Sequence, residues 1–178
     1  LVDPPWTYKD PCAAGERGVA YKYSTMTVPQ LKRLAVADIA APDAALFCWA
    51  TAPMLPVALD VMAAWGFTYK TVAFVWVKTT QKDKPAWGMG NWTRANAEVV
   101  LLGIRGRPKR VDAGVHQIVH ARRGEHSSKP AEVRWRIMRL MGEVPRCELF
   151  ARDRVAGFDV WGNEAPGGND FEIPMRLV

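Results

Sequence analysis

The run Leu1-Val2-Asp3-Pro4-Pro5-Trp6 sets a carboxylate against two prolines and a tryptophan, directly after an apolar pair. Each proline has a fixed φ and restricts the residue before it to extended backbone. Neither has a backbone N–H, so the corner is stiff and its carbonyls are offered as acceptors. An ionised Asp3 likewise only accepts. Acceptors side by side suit a group that carries two N–H protons, and Trp6 offers a flat wall to a ring. A planar amino-heterocycle fits that description. The exocyclic amine of adenine or cytosine is a weak nucleophile, because its lone pair is delocalised into the ring. Acceptors that grip both N–H protons drive the nitrogen toward a pyramidal form. They also stabilise the positive charge that develops as it attacks an electrophile. Asp3 need not take a proton beforehand: once alkylated, the nitrogen is acidic and loses one to Asp3 or to water. The plain alternative is a strand that ends in an Asp-Pro turn. For an isolated D-P-P the two readings weigh equally.

Such a site needs rigid elements to hold it. Leu1-Val2 read as the last residues of a buried strand whose beginning is missing, so the chain is expected to be a trimmed piece. Residues 7–27 have no apolar period and read as a long loop of the functional or mobile kind. The pattern predicts a short helix over 28–35, with Thr27 as N-cap and Pro29 in the first turn. It predicts a buried strand over 45–50, a helix over 54–66 closed by Gly66, and a strand over 69–78. A second long loop covers 79–96. Strands are predicted over 97–106 and 116–121, then a helix over 130–142 with Val133, Ile137, Leu140 and Met141 on one face. A strand over 146–151 and a short strand or turn over 158–162 follow, and 165–178 is a tail without a strong signal. Strands alternating with helices, with apolar runs unbroken by polar residues, predict an α/β fold in one domain over 1–178. Its sheet is expected to be mostly parallel and covered by helices on both faces. Ligands of such sheets bind beyond the carboxyl ends of the strands. Asp3, Lys78, Arg105 and the residues after Phe150 are expected to lie there.

Composition narrows the partners. The 178 residues carry 24 Lys and Arg against 18 Asp and Glu, a net charge of +6 that suits a polyanion. The cations fall in three runs: Arg105, Arg107, Lys109 and Arg110; Arg122, Arg123 and His126; Lys78, Lys82 and Lys84. Near strand ends these suit phosphate contacts. Of the 8 tryptophans, most read as core and some as stacking platforms. The apolar stretch 35–67 is broken by Asp38, Asp43, Asp60, Pro42, Pro53 and Pro56, which argues against a membrane span. Cys12, Cys48 and Cys147 are widely spaced with no C-x-x-C, so no disulfide framework or zinc site is suggested, and no metal is expected. The default setting is reducing and cytoplasmic.

Beyond the opening motif, the chain resembles the MT-A family of N6-adenine methyltransferases, which includes the catalytic subunit of the mRNA adenosine methyltransferase. D-P-P-W after an apolar strand is the first point of likeness. "YSTMT" (23–27) resembles the family's tyrosine-containing segment, and "LFCWAT" (46–51) and "FVWVKT" (74–79) its central strands. "GNWTRANAEVVLLGIRG" (90–106) resembles its loop-then-strand pattern. "EHSSKPAEV" (125–133) resembles its H-S-x-K-P-[DE]-E segment, and "ELFAR" (148–152) followed by "WGNE" (161–164) its closing stretch. The likeness spans residues 1–164 in the family's order. It departs at Ala131, where an acid is usual, and at Arg154-Val155, where some members carry His-Asn.

The resemblance implies a Rossmann-like methyltransferase fold with permuted motif order, the D-P-P-W strand early and the cofactor strand late. It implies S-adenosylmethionine as cofactor and transfer to N6 of adenine. By resemblance, Asp3, Pro4, Pro5 and Trp6 hold the target amine, with Asp3 also near the cofactor. Tyr23 belongs to a loop that closes over the base, Trp49 and Trp76 flank the pocket, and Lys78 stands on the substrate side. Lys129 pairs with the methionine carboxylate. Arg152, Asn163 and Glu164 meet the ribose, with Glu148 beside them as a direct ligand or a support. A compact catalytic domain of bacterial or phage type is expected to act on DNA rather than RNA, with a second copy or an accessory subunit. The base must be flipped out or already single-stranded. The alternatives are RNA N6-adenosine methylation, N4-cytosine methylation, and a non-catalytic nucleic-acid-binding paralogue. The last tends to lose the motif's acid or aromatic, and this chain keeps both.

Overall fold

The computed structural model describes residues 1–6, 25–88, 92–124 and 128–176. Thr27 caps the first helix, α1 (Val28–Arg33), through a reciprocal box: its hydroxyl accepts from the Gln30 amide, and the Gln30 side chain accepts from the Thr27 amide. A short α2 (Val36–Ile39) precedes β1 (Ala44–Ala50). A 3-10 turn (Ala52–Met54) leads into α3 (Leu55–Ala64), which Gly66 closes at φ 82°. Then come β2 (Thr68–Thr79), β3 (Ala97–Arg105) and β4 (Ile118–Arg122). After them follow α4 (Ala131–Met141), β5 (Cys147–Leu149) and β6 (Asp159–Trp161).

Four strands pair in the order β1-β3-β2-β4, and β5 pairs with β6. Val2 joins the two groups. It bridges in parallel to Cys48 and to Leu149, and its amide donates to the Phe47 carbonyl at 2.8 Å. The sheet is mixed rather than mostly parallel: β3 runs antiparallel to both β1 and β2, whereas β2–β4 and β5–β6 are parallel. The physical reason lies between β2 and β3. A parallel return needs a crossover of a dozen or more residues, usually a helix, and no helix forms there among the described residues. An apolar strand carries no mark of its own direction.

The pairings give β1, β2, β4, β5, β6 and the Val2 segment one common direction, with β3 reversed. One edge of the sheet therefore gathers the carboxyl ends of these strands and the start of β3. Asp3, Lys78 and Glu98 lie along it. Arg105, at the far end of β3, lies on the opposite edge and donates to the Ala37 carbonyl at 2.6 Å. Its predicted place beside Asp3 is thus overturned, and the basic run that starts with it begins away from that edge.

Side chains alternate across the sheet. Leu46, Cys48 and Ala50 share a core with Leu31 and with Ala58, Val61 and Met62 of α3. Phe47 and Trp49 share the other with Val133 and Ile137 of α4. Helices thus cover both faces. At Gly103 of β3 a Cβ would stand 2.6 Å from the Met62 Cε and 3.1 Å from the Phe67 Cβ, so the missing side chain lets α3 seat closely. The tail packs on α1 and α2: Ile173 is buried, and the Ala35 amide donates to the Pro174 carbonyl at 2.9 Å. No helix among the described residues is long and apolar enough to cross a membrane.

Candidate active site

Pro4 and Pro5 have no amide with which to continue the ladder, so the Val2 segment stops and leaves Asp3 at the sheet edge. There it meets Lys129, 126 positions away in sequence, whose Nζ donates to Asp3 Oδ2 at 2.7 Å. Lys129 is held by Pro130, the residue that opens α4. Its Nζ also lies 3.5 Å from Glu98 Oε2, and the other Glu98 oxygen accepts from Lys78. The result is an alternating chain, Asp3–Lys129–Glu98–Lys78, along one edge. Lys129 and Glu98 are largely enclosed, whereas the Asp3 side chain is 34% exposed, so its carboxylate is the member open to a ligand.

Charge in this chain is balanced locally. Burial raises the Asp3 carboxyl above the ordinary carboxylate range, and the Lys129 and Arg152 charges oppose that rise. Burial disfavours the Lys129 ammonium, but Asp3 and Glu98 outweigh it and hold its pKa above the usual value. Burial likewise opposes ionisation of Glu98, yet Lys129 and Lys78 pull its pKa below the ordinary 4.5. A carboxyl with a lowered folded pKa contributes stability that is fully present above its unfolded value and lost as pH falls through the folded one. Glu98→Gln is therefore expected to flatten the loss of stability below about pH 4.5. Urea midpoints measured against pH check this, and an unchanged acid slope would contradict the pairing.

Trp49 and Trp76 lie under the two lysines. Their rings meet edge to face, with centroids 6.1 Å apart and planes at 78°. Lys129 Nζ is 5.5 Å from the Trp49 centroid and Lys78 Nζ 5.0 Å from that of Trp76, a cation–π arrangement. Both indoles are 2% exposed. They form a floor for the lysines, whereas the resemblance implies that they flank the pocket, because both sit on central strands whose faces are covered. Trp6 is corrected in the same way. It is 5% exposed and belongs to the core, and its buried indole nitrogen has no hydrogen-bond partner among the described residues. The corner is not free of donors either: the Pro4 carbonyl accepts from the Trp6 amide at 2.8 Å, and the Pro5 carbonyl from Met26 at 3.1 Å. The chain turns back at once, and the Trp6–Met26 bridge brings these amides in. Each carbonyl keeps a second lone pair.

Glu148 on β5 is held by α4. Arg134 of α4 donates to both of its oxygens, Nε to Oε2 at 2.7 Å and Nη2 to Oε1 at 2.6 Å, and Glu148 is buried. Arg152 lies 3.5 Å from Glu164. Asn163 is exposed beside it. Both lie just past β5 and β6, on the same edge as Asp3. Gly162 allows this approach: a Cβ there would stand 2.5 Å from the Ala151 carbonyl oxygen and 2.6 Å from its nitrogen, backbone that has no room to yield. Gly162→Ala is expected to cost about 1–3 kcal/mol, read as a lowered urea midpoint at unchanged slope. Tyr23 lies outside the described residues.

Two site residues escape the sequence reading. Glu98 had a signal, an acid at the second position of an otherwise apolar strand. Arg134 had none, since an arginine within a helix is usually a solvated one.

An acid–lysine chain thus lies at the carboxyl edge of a helix-covered α/β sheet, the edge at which sheets of this class bind their ligands. The chain belongs to the MT-A70 family, whose profile matches residues 1–164. It is 35% identical to the Type II methyltransferase M.MunI of Mycoplasma sp over 193 aligned residues, which cover 98% of this chain and 80% of that protein. It is 29% identical to an N(6)-adenosine-methyltransferase MT-A70-like protein of Arabidopsis thaliana, covering 94% of this chain but 23% of the relative. An N(6)-adenosine-methyltransferase MT-A70-like protein of Drosophila melanogaster is 26% identical, with 24% of it covered. The chain thus spans about a quarter of the length of those two relatives.

Proposed function

We propose that the chain transfers a methyl group from S-adenosylmethionine to N6 of an adenine in nucleic acid, DNA in preference to RNA. The observation that carries this reading is the Asp3 carboxylate, half-open at the sheet edge and fixed by Lys129. Lys129 engages one oxygen of Asp3, and an ionised carboxylate has lone pairs on both. Asp3 and the neighbouring Pro4 carbonyl accept from the target amine and face the positive charge that grows on it. The proton that the methylated amine sheds passes to Asp3 or to water.

The residues at this edge suit the cofactor chemically. Lys129 and Arg152 are cations for its carboxylate end, and Glu164 and Asn163 offer polar atoms to ribose hydroxyls. When bound, S-adenosylmethionine supplies an electrophilic methyl on a sulfonium. Glu148, held by Arg134, supports this wall from behind instead of touching the ligand. The Asp3 segment comes first in the chain yet lies between β1 and β5, a placement in keeping with permuted motif order. The leaning to DNA rests on higher identity to the type II methyltransferase than to the adenosine methyltransferases. Incubation with methyl-labelled cofactor and adenine-containing DNA and RNA, single- and double-stranded, tests the reading. Nucleoside mass spectrometry is expected to show N6-methyldeoxyadenosine. Label in cytosine would move the target, and label in none of the four would overturn the proposal.

A further inference from the structure

Beyond Lys78 the sheet edge opens into a groove of about 920 Å³ at the ends of β2 and β4. β2 leaves the sheet through a tight turn. The Thr80 amide donates to the Lys84 carbonyl at 2.8 Å, the Asp83 amide to the Thr80 carbonyl at 3.0 Å, and the Ala86 amide returns to the Lys78 carbonyl at 2.9 Å. Asp83 takes a left-handed φ of 54°, which aspartate tolerates better than most residues. From the end of β4, Arg122 donates twice to the Asp83 carboxylate, at 3.0 and 2.9 Å. This pair fixes the turn against β4. It also cancels the turn's one acid.

What the pair leaves behind is cationic. Lys82, Lys84 and Arg123 line the groove, are exposed, and have no ion-pair partner among the described residues. Trp87 lines the same groove and is 65% exposed. Its neighbour Gly88 is pinned, donating to the Ala95 carbonyl at 2.7 Å. A large aromatic held outside the core on a hydrogen-bonded segment does little for folding. Three free cations around one flat, exposed indole match a ligand with regularly spaced anions and accessible ring faces. A single nucleic-acid strand has both. A duplex hides its base faces in the stack and would leave the indole unused.

We infer that this groove binds the single-stranded stretch flanking the target base, with phosphates on Lys82, Lys84 and Arg123 and one base stacked on Trp87. The inference rests on the proposed nucleic-acid function. The groove begins at Thr79, next to Lys78, the last member of the Asp3–Lys129–Glu98–Lys78 chain, so a strand lying in it leads toward Asp3.

A labelled thymidine dodecamer, free of adenine and used without cofactor, tests it by anisotropy over a range of salt. The full chain is expected to bind with affinity that falls as salt rises. The double variant Lys82→Ala/Lys84→Ala is expected to bind more weakly, with a salt slope shallower by about 1.4, at roughly 0.7 for each phosphate that is no longer neutralised. Trp87→Ala is expected to lose about tenfold in affinity at an unchanged slope. Lys70→Ala/Arg176→Ala, which removes two exposed cations outside the groove, is expected to bind like the parent. Equal loss in that control, or parent-like binding by Trp87→Ala, would overturn the groove. Methylation of an adenine trinucleotide, too short to fill the groove, separates the two readings. If the parent binds through the groove but methylates nothing, only the enzymatic reading fails. If it methylates and the groove variants bind thymidine normally, only this inference fails.

Discussion

Asp3→Asn is expected to cut methyl transfer by about 10²–10³-fold with the fold intact, the loss typical of removing one preorganised electrostatic group at a reacting centre. Asparagine has nearly the same shape. It keeps one acceptor oxygen, replaces the other with an N–H donor, and removes the negative charge. A donor facing the target amine repels the protons that a carboxylate would grip, and nothing then faces the positive charge that builds on the nitrogen. Stability is expected to change little. Burial already penalises the Asp3 charge, and Lys129 keeps Glu98 at 3.5 Å as a partner. The checks are single-turnover methylation, a circular dichroism spectrum and calorimetric titration with the cofactor. A variant that folds, binds the cofactor and still transfers within tenfold of the parent would remove Asp3 from the chemistry.

The end of the opening strand at Asp3 was legible because its residues are unusual as neighbours: an acid and two prolines constrain one another locally, whatever surrounds them. The helix start at Thr27 and Gln30 was legible for the same reason, since a capping box is closed within four residues. What the sequence hid is what distance decides. The direction of β3 depends on how the chain returns after β2, and reversing it carried Arg105 to the wrong edge for the site. The resemblance sets Trp49 and Trp76 beside the pocket, tryptophan serves stacking and packing alike, and only the covered sheet faces assign them to the core. Glu98 becomes a site residue only when Lys78 and Lys129 arrive on either side of it. The carbonyls of Pro4 and Pro5 looked free because their donors come from Trp6, through the turn, and from Met26, well separated from them in sequence.

The largest loss of stability is expected from Glu148→Ala, about 3–5 kcal/mol. That is a large fraction of the 5–15 kcal/mol or so that holds a typical domain together. The pair it breaks is enclosed on both sides, with side chains 13% and 8% exposed for Arg134 and Glu148. Burial works against the Arg134 charge, and the two hydrogen bonds and charge of Glu148 outweigh it, so the guanidinium stays above its usual pKa. Without the carboxylate that cation remains buried with only the weaker pull of the Asp153 and Asp3 charges to offset its desolvation, which is why removing one partner costs more than the pair itself is worth. The double variant Glu148→Leu/Arg134→Met is therefore expected to recover most of the loss. Urea unfolding at constant slope gives both numbers. Function is expected to follow stability for a geometric reason. Arg134 lies one turn into α4, whose first residue comes two positions after Lys129, so the Arg134–Glu148 pair ties to β5 the helix that delivers Lys129 to Asp3. Cofactor affinity is expected to fall in Glu148→Ala and to return in the double variant. If the single change costs under about 1 kcal/mol, as an exposed pair would, then the core packing of α4 and the Arg136 bonds to the His116 and Ile118 carbonyls suffice to hold it, and Lys129 needs no anchor on β5.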